Sequence, residues 1–183
     1  MIRYTDYIAM DGYVMPAFFS KSYWVERFLK SEQYYIRNYI MYLRSEEYYT
    51  FVKPHKLMKY YYQRKKNILG SRLGFFIHAG NFGAGLKLYH YGAVIVHPKA
   101  KIGKNCTIHG NCCIGSNGGY PDIPPTIGDG VDIGQGAQVL GDIRIADGVK
   151  IGAGAVVVKS VFEKNVTLIG VPAHICINKN SPE

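Results

Sequence analysis

What this sequence lacks sets its first limits. It has four cysteines in 183 residues, Cys106, Cys112, Cys113 and Cys176, two of them adjacent and none in a C-x-x-C pair. That spacing suggests neither a zinc site nor a disulfide framework, and it reads as free thiols in a reducing cytoplasm. No stretch approaches the roughly 18 consecutive apolar residues of a membrane span. The opening MIRYTDYIAMDGYVMPAFF is broken by Asp6, Asp11 and Pro16, so it lacks the apolar core of a signal peptide. Acids are also scarce, 13 against 22 Lys and Arg, which leaves a formal charge of +9. That excess raises the question of nucleic acid, but no RNA- or DNA-binding motif accompanies it and none is expected as a partner.

The scarcities are unevenly spread. Glycine is almost missing before residue 73, with 19 of the 21 glycines after it, whereas 13 of the 16 tyrosines precede residue 63. Residues 1–72 hold 13 of the Lys and Arg against 6 acids; residues 73–183 hold 9 against 7 and are nearly neutral. Three segments are therefore expected: a basic, Tyr-rich helical region over 1–72, a second region over 73–175, and a short tail over 176–183.

In the first region, Val25, Phe28, Leu29, Ile36, Tyr39, Ile40 and Leu43 recur at helical spacing between Ser22 and Val52. Arg27, Lys30, Arg37 and Arg44 are assigned to the wet face. A second helix is expected to open near Pro54 and to end before Gly70. The tyrosines at 60–62, followed closely by Lys65 and Lys66, combine aromatic and basic character. A solvated helix end and Tyr packing account for them; the functional alternatives are binding of phosphate, of nucleic acid, or of a membrane face as a peripheral contact.

The second region repeats. Aliphatic residues stand at Val96, Ile102, Ile108 and Ile114, then at Ile127, Ile133, Val139, Ile145, Ile151 and Val157, each run at a spacing of six. Neither a helix (3.6) nor an amphipathic strand (2) has that period; a short strand and a turn, three to a coil, does. Side chains 18 apart should then stack: Ile127 on Ile145, Ile133 on Ile151, Val139 on Val157. Asn105, Gly130, Gly136, Asp142, Gly148 and Gly154 suit the corners. Each buried aliphatic is worth roughly 1.5–3 kcal/mol, enough in sum to hold units that cannot bury their apolar side alone. Ile114 to Ile127 breaks the spacing, so Ser116–Thr126 is expected to leave the prism as a loop.

IGKNCT, IGDGVD, IGQGAQ and IGAGAV, closed by GVPAHI at Gly170–Ile175, resemble the hexapeptide-repeat acyltransferases, and among them the serine acetyltransferase group. The resemblance implies a left-handed parallel β-helix, a homotrimer whose site lies between prisms, and acetyl-CoA as cosubstrate with no metal. KLYHYGAVIVHPKAKIG is similar to the segment that carries the catalytic histidine, which falls here on His90. An alcohol is a poor nucleophile at neutral pH, and an imidazole with a reference pKa near 6.5 is available to take its proton. His97 and His109 are read as surface residues and His78 as structural.

For CoA, the resemblance implies Gln135 and Ala153, 18 apart, with Gly115, Gly136 and Gly154 allowing close backbone approach, and Lys159 and His174 towards the nucleotide. The acceptor side takes Tyr89, Tyr91, Tyr120 and Asp122. Two departures bear on the acceptor: Pro124 stands where the serine enzymes place a histidine, and Phe76 where they place an acid. The ending NKNSPE also differs from the extended tail, ending in Ile, of those enzymes. The sequence is therefore read as an O-acetyltransferase acting on a saccharide of surface-polysaccharide type. Serine O-acetyltransferase is the alternative, and a solenoid that has lost catalysis and only binds is the third reading.

Overall fold

Capping residues decide where the helices of the first region begin and end. The computed structural model describes residues 3–12 and 21–176; the expected tail lies outside them from residue 177. Among the described residues four α-helices form, α1 (Tyr4–Ile8), α2 (Lys21–Leu29), α3 (Glu32–Glu47) and α4 (Lys56–Leu73), with one π-helical turn at Tyr48–Val52. The single helix expected from Ser22 to Val52 is two. Lys30 takes a left-handed φ of 50°, and the Ser31 hydroxyl then accepts from Tyr34 N at 3.2 Å to start α3. Helix α4 also departs from expectation by running through Gly70. There a side chain would meet Phe75 O and the Tyr39 ring, so Gly70 serves close packing, and Gly74 at φ 82° ends the helix.

From Phe75 onward the chain coils into a prism of three parallel sheets. The five-stranded sheet contains β1 (Phe75–Phe76), β3 (Val94–Val96), β6 (Cys112–Gly115), β9 (Gln138–Leu140) and β12 (Val156–Val157). The three-stranded sheet contains β4 (Lys101–Ile102), β7 (Thr126–Ile127) and β10 (Arg144–Ile145). The third contains β2 (Lys87–Leu88), β5 (Thr107–Ile108), β8 (Asp132–Ile133), β11 (Lys150–Ile151), β13 (Thr167–Ile169) and β14 (His174–Ile175). All neighbours pair in parallel except β13 and β14.

The stacking expected from the period of six is present residue for residue: Ile127 faces Ile145, Ile133 faces Ile151 and Val139 faces Val157. These side chains are buried and fill the prism. Positive φ occurs at Asn105, Gly130, Gly136, Gly148 and Gly154 as expected, but Gly141 and not Asp142 takes it in the remaining turn. The loop is larger than the spacing first suggests. Ile114 and Ile127 lie in adjacent sheets, like Val96 and Ile102, so seven residues are inserted into one six-residue step. The loop ends at Pro125, since Thr126 already belongs to β7. Pro124 and Pro125 are buried and hold it against the prism.

Arg44 is not on a wet face. Its side chain is 1% exposed and pairs with Asp11 at 2.6 Å and Glu47 at 2.7 Å. It also donates to the carbonyls of Phe82 and Gly83, in the first coil. Burial alone would lower its pKa, yet the two carboxylates hold it above the ordinary arginine value. Asp11 Oδ1 accepts from Gly85 N and Leu86 N, and Glu47 Oε1 accepts from Gly80 N. Lys66 extends this charged seam, pairing with Glu46 at 2.8 Å and donating to Ile77 O.

All four cysteines are unpaired. Burial pushes the Cys106 thiol up to about 11, and those of Cys112 and Cys113 upward as well.

Removing one partner of a buried pair leaves the other charge without compensation. Arg44→Met should therefore cost about 3–5 kcal/mol of unfolding free energy in urea. Lys164→Gln, which cuts the exposed Lys164–Asp147 pair, should leave the urea midpoint unchanged. Equal midpoints for wild type and Arg44→Met would contradict the clamp.

Candidate active site

Each coil turns from the six-stranded to the five-stranded sheet through a tight corner, and these corners stack into one edge. Gly136 N donates to Gly110 O at 3.0 Å, Gly154 N to Gln135 O at 2.8 Å, and Val156 N to Gly170 O at 3.0 Å. The edge carries Tyr89, His90 and Tyr91 on the first coil, then His109, Gln135 with Gly136, Ala153 with Gly154, and His174, whose ring packs beside Gly170. Gln135 and Ala153 are exposed, and a Cβ built on Gly154 would meet nothing within 4 Å. The edge is thus an open track with small residues and backbone at its surface.

His90 stands at the head of that track. Its Nδ1 lies 3.2 Å from Glu32 Oε2, while Glu32 Oε1 accepts from Tyr91 N at 2.7 Å. A carboxylate only accepts, so the short contact requires the proton on Nδ1 and leaves the lone pair on Nε2. Among the described residues Nε2 has no hydrogen-bond partner. The backbone beyond is fixed as well: Asn111 Oδ1 accepts from Ala93 N at 3.1 Å. Tyr89 stacks on His109, ring centroids 4.7 Å apart and 4° from parallel.

Glu32 is the residue that sequence reasoning missed. The Ser31-Glu32 pair is legible as a helix start, but its partner is 58 residues away. Phe76, which stands where the resemblance implies an acid, sits in β1, and the acid beside His90 comes from the helical region.

Four expected site residues lie elsewhere. In the five-stranded sheet, Gln135 and Ala153 precede their strands, whereas Gly115 ends β6 and Lys159 follows β12. Gly115, Lys159, Tyr120 and Asp122 therefore occupy the opposite edge of that sheet from His90 within one chain. The period of six places a residue on a coil, but which of the three corners it reaches depends on whether it precedes or follows its strand. Tyr120 is fully exposed on the inserted loop.

On this second edge His97 is also not a bare surface residue. Its Nδ1 accepts from Lys99 N at 3.1 Å, and its Nε2 is 2.9 Å from Asp122 Oδ2. Hydrogen bonds from Ser116 and His97 hold the Asp122 carboxyl below the usual carboxylate range. His109, half-buried, has Nε2 at 3.2 Å from Asp132 Oδ1. Among the described residues no group of three or more His, Cys, Asp or Glu could hold a metal ion.

With this geometry in view, comparisons with known proteins are direct. Residues 124–159 match the family of bacterial transferase hexapeptide repeats (six repeats). Serine acetyltransferase of Mycobacterium tuberculosis is 34% identical over 138 residues, covering 70% of this chain and 59% of that protein. Among solved structures, serine acetyltransferase of Brucella abortus in complex with coenzyme A is 30% identical, with a TM-score of 0.67 over 94% of this chain and 67% of that one. The chain belongs to the hexapeptide-repeat transferases.

Other members extend the comparison. Chloroplastic serine acetyltransferase 1 of Arabidopsis thaliana is 44% identical over 108 residues, 58% of this chain and 34% of that protein. The Neisseria gonorrhoeae enzyme in complex with serine is 28% identical with a TM-score of 0.65, over 95% and 69% of the two chains. The chain spans less than two thirds of the length of these curated relatives.

The Glu32 contact predicts a fixed tautomer for this hexapeptide-repeat protein. Nitrogen-15 NMR of the neutral His90 ring should find the proton on Nδ1, and Glu32→Ala should release it to a mixture. A ring protonated on Nε2 in the wild type would contradict the contact.

Proposed function

We propose that the chain is an acetyl-CoA-dependent O-acetyltransferase with His90 as general base and L-serine as acceptor. The observation that carries the reading is the His90 imidazole, held through Nδ1 by Glu32 with Nε2 unengaged, at the head of an exposed track of small residues. The acceptor hydroxyl gives its proton to His90 Nε2 as its oxygen attacks the thioester carbonyl carbon. The tetrahedral adduct then collapses with cleavage of the C–S bond. The proton on the imidazolium passes to the departing CoA thiolate, leaving an O-acetyl ester and free CoA. A base placed in this way contributes about 10²–10⁴ in rate, and Glu32 stabilises the imidazolium that forms between the two proton transfers.

CoA is proposed to lie along the column Gln135–Gly136, Ala153–Gly154 and His174, against exposed main chain. The coil is proposed to be left-handed, as in the family. Gly115, Tyr120, Asp122 and Lys159 lie at the other edge of the same sheet, which supports a homotrimer in which one prism offers that edge to the His90 edge of the next.

The relatives support serine over the saccharide read from the sequence. One observation keeps the saccharide as a second reading. Pro124 is buried in the inserted loop where the resemblance implies a histidine, and a small zwitterion needs charged or hydrogen-bonding partners to be held against water. Tyr89, Tyr91 and Tyr120 offer flat faces with hydroxyl tips, which suit a sugar ring.

The test is CoA thiol release from acetyl-CoA with L-serine and, in parallel, a panel of nucleotide sugars and oligosaccharides. A kcat/KM with L-serine of roughly 10⁴ M⁻¹s⁻¹ or more supports serine. Turnover confined to the sugars selects the second reading, and no transfer to any hydroxyl leaves a binding solenoid. His90→Ala should lower kcat at least about a hundredfold with CoA affinity retained, and near-normal turnover would remove His90 as the base. Ala153→Trp should block CoA without loss of stability, because residue 153 faces outward; affinity within about twofold of wild type would put the track elsewhere.

A further inference from the structure

Helix α4 has an outer face that the described residues leave uncovered. Leu57, Tyr60, Tyr61 and Ile68 are 77%, 60%, 52% and 41% exposed, and their spacing places them on one stripe with the exposed Arg64. Cations interleave the rings: Lys59 Nζ lies 5.9 Å from the Tyr60 centroid and Lys65 Nζ 5.6 Å from that of Tyr61. The sequence has no Asp or Glu between Glu47 and Asp122. Lys66 is spent on Glu46 in the buried seam. Among the described residues the other cations on and beside α4, Lys53, Lys56, Lys59, Arg64, Lys65 and Arg72, make no ion pair.

Between α3 and α4 the face opens into a groove of about 270 Å³, with Tyr34, Tyr42 and Ile68 among its walls and Arg64, Lys65 and Arg72 contributing three cations. Helix α2 adjoins it, since Tyr23 packs edge-on against Tyr34 with centroids 6.2 Å apart. That helix adds Val25, Phe28 and Leu29 to the exposed apolar surface.

We propose that this face docks on an anionic membrane surface. The groove takes the phosphate of a lipid headgroup between Arg64, Lys65 and Arg72, while Leu57, Tyr60 and Tyr61 enter the interfacial zone. The chemistry is that of a peripheral membrane contact: amphipathic rings at headgroup depth, aliphatic side chains beyond them, and unpaired cations drawn to negative lipid. A nucleic acid would use the rings and cations but leave Leu57, Ile68 and the apolar row of α2 without a role. A second copy of this face would set like charges against one another.

Flotation of the full chain with phosphatidylcholine vesicles, with and without about 30 mol % phosphatidylglycerol, tests the proposal. Binding should require the anionic lipid and weaken with salt. It should fall about tenfold or more in the double variants Arg64→Glu/Lys65→Glu and Leu57→Ser/Tyr60→Ser, with unchanged thermal unfolding. Inorganic phosphate and polyuridylate are titrated in parallel. Equal binding to neutral vesicles, unaltered binding by both variants, or saturation by phosphate without any vesicle binding would overturn the proposal. So would polyuridylate bound in preference to anionic vesicles.

Discussion

The structure depends on one buried guanidinium. A solenoid's first coil has no preceding coil to satisfy its edge, and its backbone amides need partners. Here Arg44 meets that need indirectly. It binds the carbonyls of Phe82 and Gly83 itself, and it holds Asp11 and Glu47, which accept from Gly85 N, Leu86 N and Gly80 N. The helical region is therefore a cap, fastened by charge-assisted hydrogen bonds as well as by Ile36, Tyr39, Ile40 and Leu43, which are buried in one core with the prism. Helix α3 is rigid, and Glu32 lies twelve residues before Arg44, about 18 Å along the axis. Anchoring one end of α3 to the first coil therefore fixes the other end against His90, so the clamp that caps the fold also sets the tautomer at the proposed site.

The prism divides the chemistry between two edges. One has the imidazole and the track of small residues; the other has the inserted loop with Tyr120 and the His97–Asp122 pair. Pro124 and Pro125 fix the base of that loop while Tyr120 at its tip is free of the body. A rigid scaffold with a pinned loop is the arrangement in which acceptor preference can change without disturbing the transfer machinery. That separation explains why the family is plain in the repeats of this chain, whereas the proposed acceptor side draws on residues of the inserted loop.

The prism was legible in the sequence because its physics is periodic. A spacing of six fixes which side chain points inward, and the register of Ile127, Ile133 and Val139 on their partners followed without further information. His90 was singled out through the resemblance of KLYHYG and its neighbours, not through the period. The misreadings were non-local. Arg44 reads as a wet-face residue on a helical wheel, since nothing nearby announces Asp11 or the carbonyls of residues 82 and 83. Glu32 was not singled out at all, since a first-turn acid is what any helix favours. Gly115 and Lys159 were grouped with Gln135 and Ala153 by family position, although they follow their strands and so reach another corner.

The central claim is that Glu32 acts through His90 and has no separate contribution to transfer. Rates of acetyl transfer for wild type, Glu32→Gln, His90→Ala and the double variant form a cycle that tests it. The account predicts that Glu32→Gln slows the wild type by about tenfold or more and changes nothing once His90 is gone. Independent, multiplicative losses in the double variant would contradict it.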